Sequence, residues 1–478
     1  MAAARAAMIN TLNENLRVTS LNINNEGKKK QIEQKLKGIR FDGATVLKIG
    51  DTFLTELELG IKDRPSSLLM ENTYIPELPD GTEEGQFLAL DLGGTNFRIL
   101  HLVFHKGRLI RENVKHYHIE DELRLGCGVK LFDFLAECCS SFVNEVGLQN
   151  KMLPLGFTFS FPMHQKALDS GLLVKWTKSF NTTGVEGEDA VKMLREAIIR
   201  RGNKNIDVVA ILNDTTGTLL QGALFDHKTY IGLIIGTGSN ACYLERADRV
   251  HHWETERHGE REIIIDIEWG AFGDNGVLDF IKTPFDLQVD KNSIQVNSFT
   301  FEKYIGGKYL GEIVRVILVD LARDKLLFNG NISKKLLVNN SFSTSNISCI
   351  EQDCVDKTIT NTEKVLSDFE QKYTLDDIAI VGYVCEMVSL RAALLVSVCT
   401  AEVLKHMNRP ETTVAVDGSL FKFHPRMKQW MNQYIAILAP KLKFQLRLAE
   451  DGSGKGAGLA AAIAMKLKGR TNGKVLKS

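Results

Sequence analysis

The chain has 478 residues, 44% apolar and 25% charged, with Lys+Arg and Asp+Glu both totalling 59. That length allows two or three domains with large cores, and the composition is that of an ordinary globular protein. A net charge of zero excludes bulk attraction to nucleic acid or to an acidic membrane surface, so any anion site must be local.

Residues 1–25 are polar and Asn-rich and read as a disordered tail, without the apolar stretch of a secretory signal. A basic helical pattern over 28–37 reads as a solvated face, and 46–59 as an amphipathic helix. Pro65, Pro76, Pro79 and Gly81 mark an extended lead-in to FLALDLGGTNFRILHL at 87–102. There an apolar strand breaks at Asp91, turns on Gly93-Gly94-Thr95 and returns from Phe97. Adjacent glycines let bare N–H groups approach an anion. Asp91 beside such a cradle would repel a phosphate unless a cation such as Mg²⁺ lay between them. The plain alternative is an ordinary hairpin, but the design recurs at 230–245, YIGLIIGTGSNACYLE.

Between the two hairpins, 129–146 reads as a helix and 154–162 as a strand ending on Ser160. A further strand is expected over 172–180, then a helix from Glu186 to Arg201 and a buried strand over 207–212. Beyond the second hairpin come a strand over 263–267, amphipathic helices over 310–328 and 375–407, and a strand over 413–416. A small-residue helix over 454–467 closes the order. Asp324, Asp376, Arg391 and Glu402 argue against membrane spans, and no apolar run is expected to cross a bilayer. The eight cysteines form no C-x-x-C pair and no zinc-like spacing, and most suit buried thiols in a reducing compartment. Alternation of strands and helices around two glycine hairpins predicts an α/β chain of two similar lobes with a cleft between them.

Gly236-Thr237-Gly238-Ser239-Asn240-Ala241 fits the dinucleotide fingerprint G-x-G-x-x-[GA], but a strand rather than a helix follows, so the Rossmann reading fails on context. Gly452-Ser453-Gly454-Lys455-Gly456 imitates a Walker A ending without its leading glycine or its metal-binding hydroxyl. A glycine-rich helix start near a nucleotide is the more economical reading. The remaining account makes the hairpins two phosphate clamps holding a triphosphate across the cleft. Ser160, Thr177, Lys178, Asn213, Asp214 and Glu268 end apolar strands, where open α/β sheets bind ligands. Each alone is an ordinary turn or cap residue. Together they suit a ligand with many hydroxyls, with Asp214 as general base and Lys178 stabilising the transferring phosphoryl.

From 28 to 468 the chain resembles the eukaryotic hexokinases, including glucokinase, on the residues LALDLGGTNFR, LGFTFSFP, WTKSF, NDTTGTL, IGTGSNACY, EWGAFGD, FEKYIGGKYLGE, VDGSLFKFHP and EDGSGKGAG. The resemblance implies two ribonuclease-H-like lobes of the actin-like ATPase superfold that close on the sugar and expel water. It implies a small lobe over 26–217 and a large lobe over 218–469, with the last helix near 454–468 returning towards the small lobe. Asp214 is then the catalytic base, assisted by Lys178. Sugar hydroxyls meet Ser160, Thr177, Lys178, Asn213, Asp214, Glu268 and Glu302. Phosphates and Mg²⁺ lie near Asp91, Gly93, Gly94, Thr95, Asn96, Arg98 and Thr237, with Asp91 acting through water. The adenosine side falls to Thr344, Ser348, Gly418 and Ser419.

The implied reaction is ATP-dependent phosphorylation of the 6-hydroxyl of a hexose, the first step of glycolysis, with glucose, mannose and fructose as acceptors. A cytosolic monomer with no nucleic-acid partner and no integral membrane segment is expected, its N-terminus a candidate for contact with the mitochondrial outer membrane. Three departures stand out: Gln295-Val296-Asn297-Ser298-Phe299 replaces an N-P-G-Q-Q-like segment, Leu390 a common Thr, and Ser239 a Thr or Cys. A looser hold on Glu302 would favour a sugar-binding sensor with little catalysis. An actin- or heat-shock-type ATPase is the other alternative, disfavoured by the sugar signature.

Overall fold

Two sheets share one strand plan in a computed structural model that describes residues 2–16, 19–94, 96–177 and 180–475. In chain order the strands begin with β1 (Glu71–Asn72), β2 (Gly85–Leu92), β3 (Asn96–His105) and β4 (Arg108–His118). They continue with β5 (Leu153–Phe159), β6 (Met163–Ala167), β7 (Ser170–Leu173) and β8 (Ile206–Leu212). The second half supplies β9 (Thr229–Ile235), β10 (Ser239–Arg246), β11 (Glu262–Asp266), β12 (Glu411–Asp417) and β13 (Lys443–Leu448). The smaller sheet runs β4-β3-β2-β5-β8 and the larger β1-β11-β10-β9-β12-β13. In each, an antiparallel meander is extended by two strands parallel to its first. The expected repeat of design is thus a repeat of topology, and it sets the carboxyl ends of β2, β5, β8, β9 and β12 around one cleft.

Period-two alternation decides what each face of the small sheet covers. Leu88, Leu90 and Leu92 pack with helices Gly128–Glu145 and Ala190–Arg200, whereas Phe87 and Ala89 join a second core with Ala457, Ala460 and Ile463. That second core contains Cys242, Leu244 and Ile264 of the large sheet, so helix Gly452–Val475 is wedged between the two lobes. Its small residues allow a very close approach: the main chain at Gly456 lies against Gly217, and that at Gly156 against Ala457.

The lobe boundary differs from expectation. Residues 1–25 were expected as a disordered tail and 26–217 as the small lobe, yet Ala2–Asn15 is helical and Leu12, Leu16, Leu21 and Ile23 are buried in the large-lobe core. Gly43 N donates to Asn13 Oδ1 at 2.7 Å and the main chain of Ile9 packs on Gly43, fastening this helix to Gly43–Ile61. Ile32, Val46, Phe53 and Leu57 enter the same core, and β1 pairs with β11 at the large sheet's edge. Burial of these apolar residues outweighs their closeness in sequence to the first hairpin.

Helix Leu375–Met407 is long and apolar enough to cross a membrane by those two measures, against the expectation that no run is. In the fold, 89% of its apolar window is buried, because it is the central helix of the large core. The strand expected over 172–180 is confined to β7. Beyond it Trp176 donates from N to Glu186 Oε1 (2.9 Å) and from Nε1 to Thr182 O (2.8 Å), which turns the chain into a loop. Five of the eight cysteines are buried, with Cys127, Cys349 and Cys354 exposed.

A candidate active site at the strand ends

The carboxyl ends of the parallel strands open on a cavity of about 440 Å³. Of the residues expected at the sugar, Ser160, Thr177, Asn213, Asp214, Glu268 and Glu302 line it. Of those expected at the phosphates and adenosine, Asp91, Gly93, Asn96, Arg98, Thr237, Gly418 and Ser419 do so too. Gly94 occupies the same turn as Gly93, and a side chain there would meet nothing. Thr95 and Lys178 lie outside the described residues. Thr344 and Ser348 do not line the cavity. Thr344 Oγ1 instead donates to Gly307 O (2.5 Å) and accepts from Gly311 N (3.2 Å), while Gly307 N donates to Gly236 O (2.8 Å). Thr344 therefore braces the second glycine hairpin from behind.

Local sequence explains how Asp214 is presented. Asn213 caps helix Asp214–Phe225, its side chain accepting from Thr215 N at 3.0 Å. Asp214 opens the first turn, where the helix dipole favours a carboxylate. Across the cleft Asn213 Nδ2 donates to Glu268 Oε1 at 3.4 Å, which joins the end of β8 to the segment after β11. Glu268 has φ +53°, a left-handed conformation rare for a side-chain-bearing residue and typical of strain retained at functional positions. Behind it Asn240 Nδ2 donates to Asp266 Oδ1 at 2.7 Å. Burial, with Asp214 and Glu71 nearby, pushes Asp266 up to about 7. Burial and the neighbouring Asp266 raise Glu268 well above the usual carboxylate range. Burial thus favours the uncharged form of the Asp266–Glu268 pair, which lessens its repulsion of Asp214.

The first hairpin is tied to the last helix. Arg98 donates from Nε to Asp91 Oδ2 (2.8 Å), from one terminal nitrogen to Asp451 (2.8 Å) and from the other to Ser453 Oγ (3.1 Å). Arg98 therefore reaches the cavity already engaged by protein carboxylates.

Glu302 Oε2 accepts from Ser239 N at 3.2 Å, which brings a large-lobe helix against the second hairpin. The unusual segment at 295–299 is pinned rather than loose. Asn297 N donates to Asp290 (3.0 Å), Phe299 N and Thr300 N donate to Asp274 (2.9 and 2.8 Å), and Lys303 Nζ donates to Gln295 O (2.5 Å). Asn297 and Phe299 both take positive φ, which gives the bend without glycine. The expected looser hold on Glu302 is thereby corrected.

Asp417, Asn240 and Phe299 line the cavity without having been expected there, and Ser453 does so from the glycine-rich helix start read as lying near a nucleotide. Asp417 accepts from Gly418 N (2.7 Å) and Gly452 N (3.2 Å), and burial raises its carboxyl. Its signal was present in sequence: it ends an apolar strand, as Asp91 does.

Two ribonuclease-H-like lobes that set glycine hairpins against strand-end carboxylates define a protein of the actin-like ATPase fold. Family models described as Hexokinase match residues 31–224 and 230–463. A solved hexokinase from Schistosoma mansoni, complexed with glucose, is similar at 39% identity and a TM-score of 0.86, over 93% of this chain and 100% of that one. A second hexokinase crystal structure is similar at 28% identity and a TM-score of 0.78, over 92% of this chain and 100% of that one. Curated relatives include Hexokinase-2 of Rattus norvegicus, 40% identical over 93% of this chain and 49% of that protein. Hexokinase-1 of the same species is 42% identical over 92% of this chain and 49% of that protein. The chain spans about half the length of these curated relatives. It belongs to the hexokinase family.

Proposed function

We propose that this protein transfers the terminal phosphoryl group of ATP to the 6-hydroxyl of a hexose, with glucose, mannose and fructose as acceptors, at the entry to glycolysis. The observation that carries the reading is the presence of Asp214 in the same cavity as both glycine hairpins. The glucose held by the Schistosoma mansoni hexokinase supports a hexose acceptor.

In this reading Asp214 removes the proton from the attacking hydroxyl as the oxygen–phosphorus bond forms and ADP leaves. Ser160, Thr177, Asn213, Glu268 and Glu302 orient the remaining hydroxyls, and Lys178 stabilises charge on the transferring group. The backbone at Gly93, Gly94, Gly236 and Thr237 holds the phosphates, with Gly418 and Ser419 on the adenosine side. Hard oxygen donors from Asp91 and Asp417 face the cavity and suit Mg²⁺, either directly or through water. A bound Mg²⁺ neutralises charge on the phosphates.

A coupled assay with purified protein, Mg·ATP and each of the three sugars tests the proposal. Turnover well above background is expected, and Asp214→Ala is expected to lose about 10²–10⁴ of the rate while still binding sugar. Background turnover in the wild type, or most of the rate retained in Asp214→Ala, would overturn it.

A further inference from the structure

Behind the cleft, the β6–β7 hairpin of the small lobe lies against the edge of the large sheet. Glu71 of β1, His164 of β6 and His252, between β10 and β11, converge there, with one ligand-type atom of each within 4.8 Å of the others. His164 Nδ1 is 3.3 Å from the Glu71 carboxylate, and the two imidazole rings have centroids 4.8 Å apart. Glu71 is only 8% exposed. Its Oε2 is buried with the His164 ring as its ion-pair partner, and His252 Nε2 is buried without a hydrogen-bond partner. A buried polar atom left unsatisfied costs about 1–3 kcal/mol, so His252 Nε2 beside this carboxylate asks for a ligand. On its far side His164 Nε2 stands 3.1 Å from Glu254 Oε1. An imidazole braced through its second nitrogen by a carboxylate is the arrangement that stands behind metal-bound histidines.

We propose that Glu71, His164 and His252 form a binding site for a zinc-class divalent cation that fastens the two lobes together. Two imidazoles and one carboxylate match the donor preference of Zn²⁺ and suit Mg²⁺ or Ca²⁺ poorly. Donors in a tetrahedral zinc site lie about 3.3 Å apart, given bonds of about 2 Å. The Glu71–His164 pair already has that spacing, and a rotamer adjustment of about 1.5 Å brings in His252. The fourth position falls to water. Met163 and Leu173 anchor the hairpin in the small-lobe core, while β1 is paired to β11, so an ion held here joins elements of different lobes. None of the three residues lines the catalytic cavity.

The test uses the full chain, stripped with a chelator and titrated with Co²⁺ as a spectroscopic probe, then with Zn²⁺ in competition. One equivalent of Co²⁺ should give visible d–d bands without thiolate-to-cobalt charge transfer, and Zn²⁺ should displace it. His252→Ala and His164→Gln should each weaken binding by about tenfold or more. Zinc should also raise the melting temperature of the wild type and not of the variants. If either variant fails to fold, the near-isosteric Glu71→Gln supplies the same comparison. A thiolate charge-transfer band, pointing to exposed Cys127, Cys349 or Cys354, would overturn the proposal. Absent binding, or affinity unchanged in the variants, would do so as well.

Discussion

Asp91 Oδ2 accepts from Arg98 Nε at 2.8 Å, the two residues standing opposite each other in the β2–β3 register. The same oxygen accepts from Ser453 Oγ at 2.8 Å, so one carboxylate links the first glycine hairpin to the start of the last helix. Its position at the mouth of the cavity makes the pair both a structural clasp and a fixed charge arrangement for the phosphate side.

Arg98→Ala should leave Asp91 buried without its cation. The side chains are 16% and 11% exposed, so most of the usual penalty for breaking a buried pair applies, about 2–4 kcal/mol. Urea unfolding at neutral pH measures it. Arg98→Lys should recover only part of the loss, because a single ammonium cannot reach Asp91, Asp451 and Ser453 at once. An unchanged midpoint in Arg98→Ala would show that the pair contributes nothing net.

A methyl group at Gly238 would fall 2.3 Å from Glu302 Oε2. Gly238→Ala should therefore displace Glu302 and act like Glu302→Gln. Loss of one charged hydrogen bond to the sugar is worth about 1.5–3 kcal/mol, roughly a 10–100-fold rise in KM for glucose with a smaller effect on kcat. Steady-state kinetics on both variants check this. An unchanged KM in both would remove Glu302 from the sugar contacts.

Gly156 in β5 seats the last helix, since a Cβ there would lie 1.9 Å from the main-chain oxygen of Ala457. A backbone carbonyl cannot rotate away as a side chain can. Gly156→Ala should destabilise the fold by about 1–3 kcal/mol, and the shift in thermal midpoint measures it. A midpoint equal to wild type would mean that the helix slides at no cost.

His424 is buried, with Nε2 3.1 Å from Ser389 Oγ and its ring beside Trp430. Burial, reinforced by Arg426, pushes its imidazole down to about 4 from 6.5. The folded state thus keeps the ring neutral where the unfolded chain protonates it. The contribution is complete above about pH 6.5 and is lost as pH falls towards 4, about 3 kcal/mol in all. Burial pushes Glu351 up to about 7 against the opposing pull of Arg426, and it acts in the opposite direction, losing stability as pH rises through that range. The difference between wild type and His424→Gln across pH 4–7 therefore isolates the histidine. Parallel stability curves would refute the assignment.

Much of the site was legible because its signals are local. Glycine pairs after apolar strands, and Asn213-Asp214 at the junction of β8 with a helix, are consequences of neighbouring residues. Asp417 was visible as a strand end, yet only folding shows that it shares a cavity with Asp91. The segment at 295–299 looked loose because Asp274 and Asp290, which accept its N–H groups, are unremarkable in sequence. Glu71 and His164 are 93 residues apart, beyond any spacing rule for metal ligands.

The amino-acid order by itself determined the two glycine hairpins and the carboxylates at the strand ends, because backbone conformation and alternation act over a few residues. Tertiary structure alone decided that Ala2–Asn15 and Gly43–Ile61 belong to the large lobe, that helix Gly452–Val475 is wedged between the lobes, and that burial beside Asp266 raises the Glu268 carboxyl. Those outcomes depend on burial against distant partners, where apolar area and the exclusion of water from neighbouring charges are settled only once the whole chain has packed.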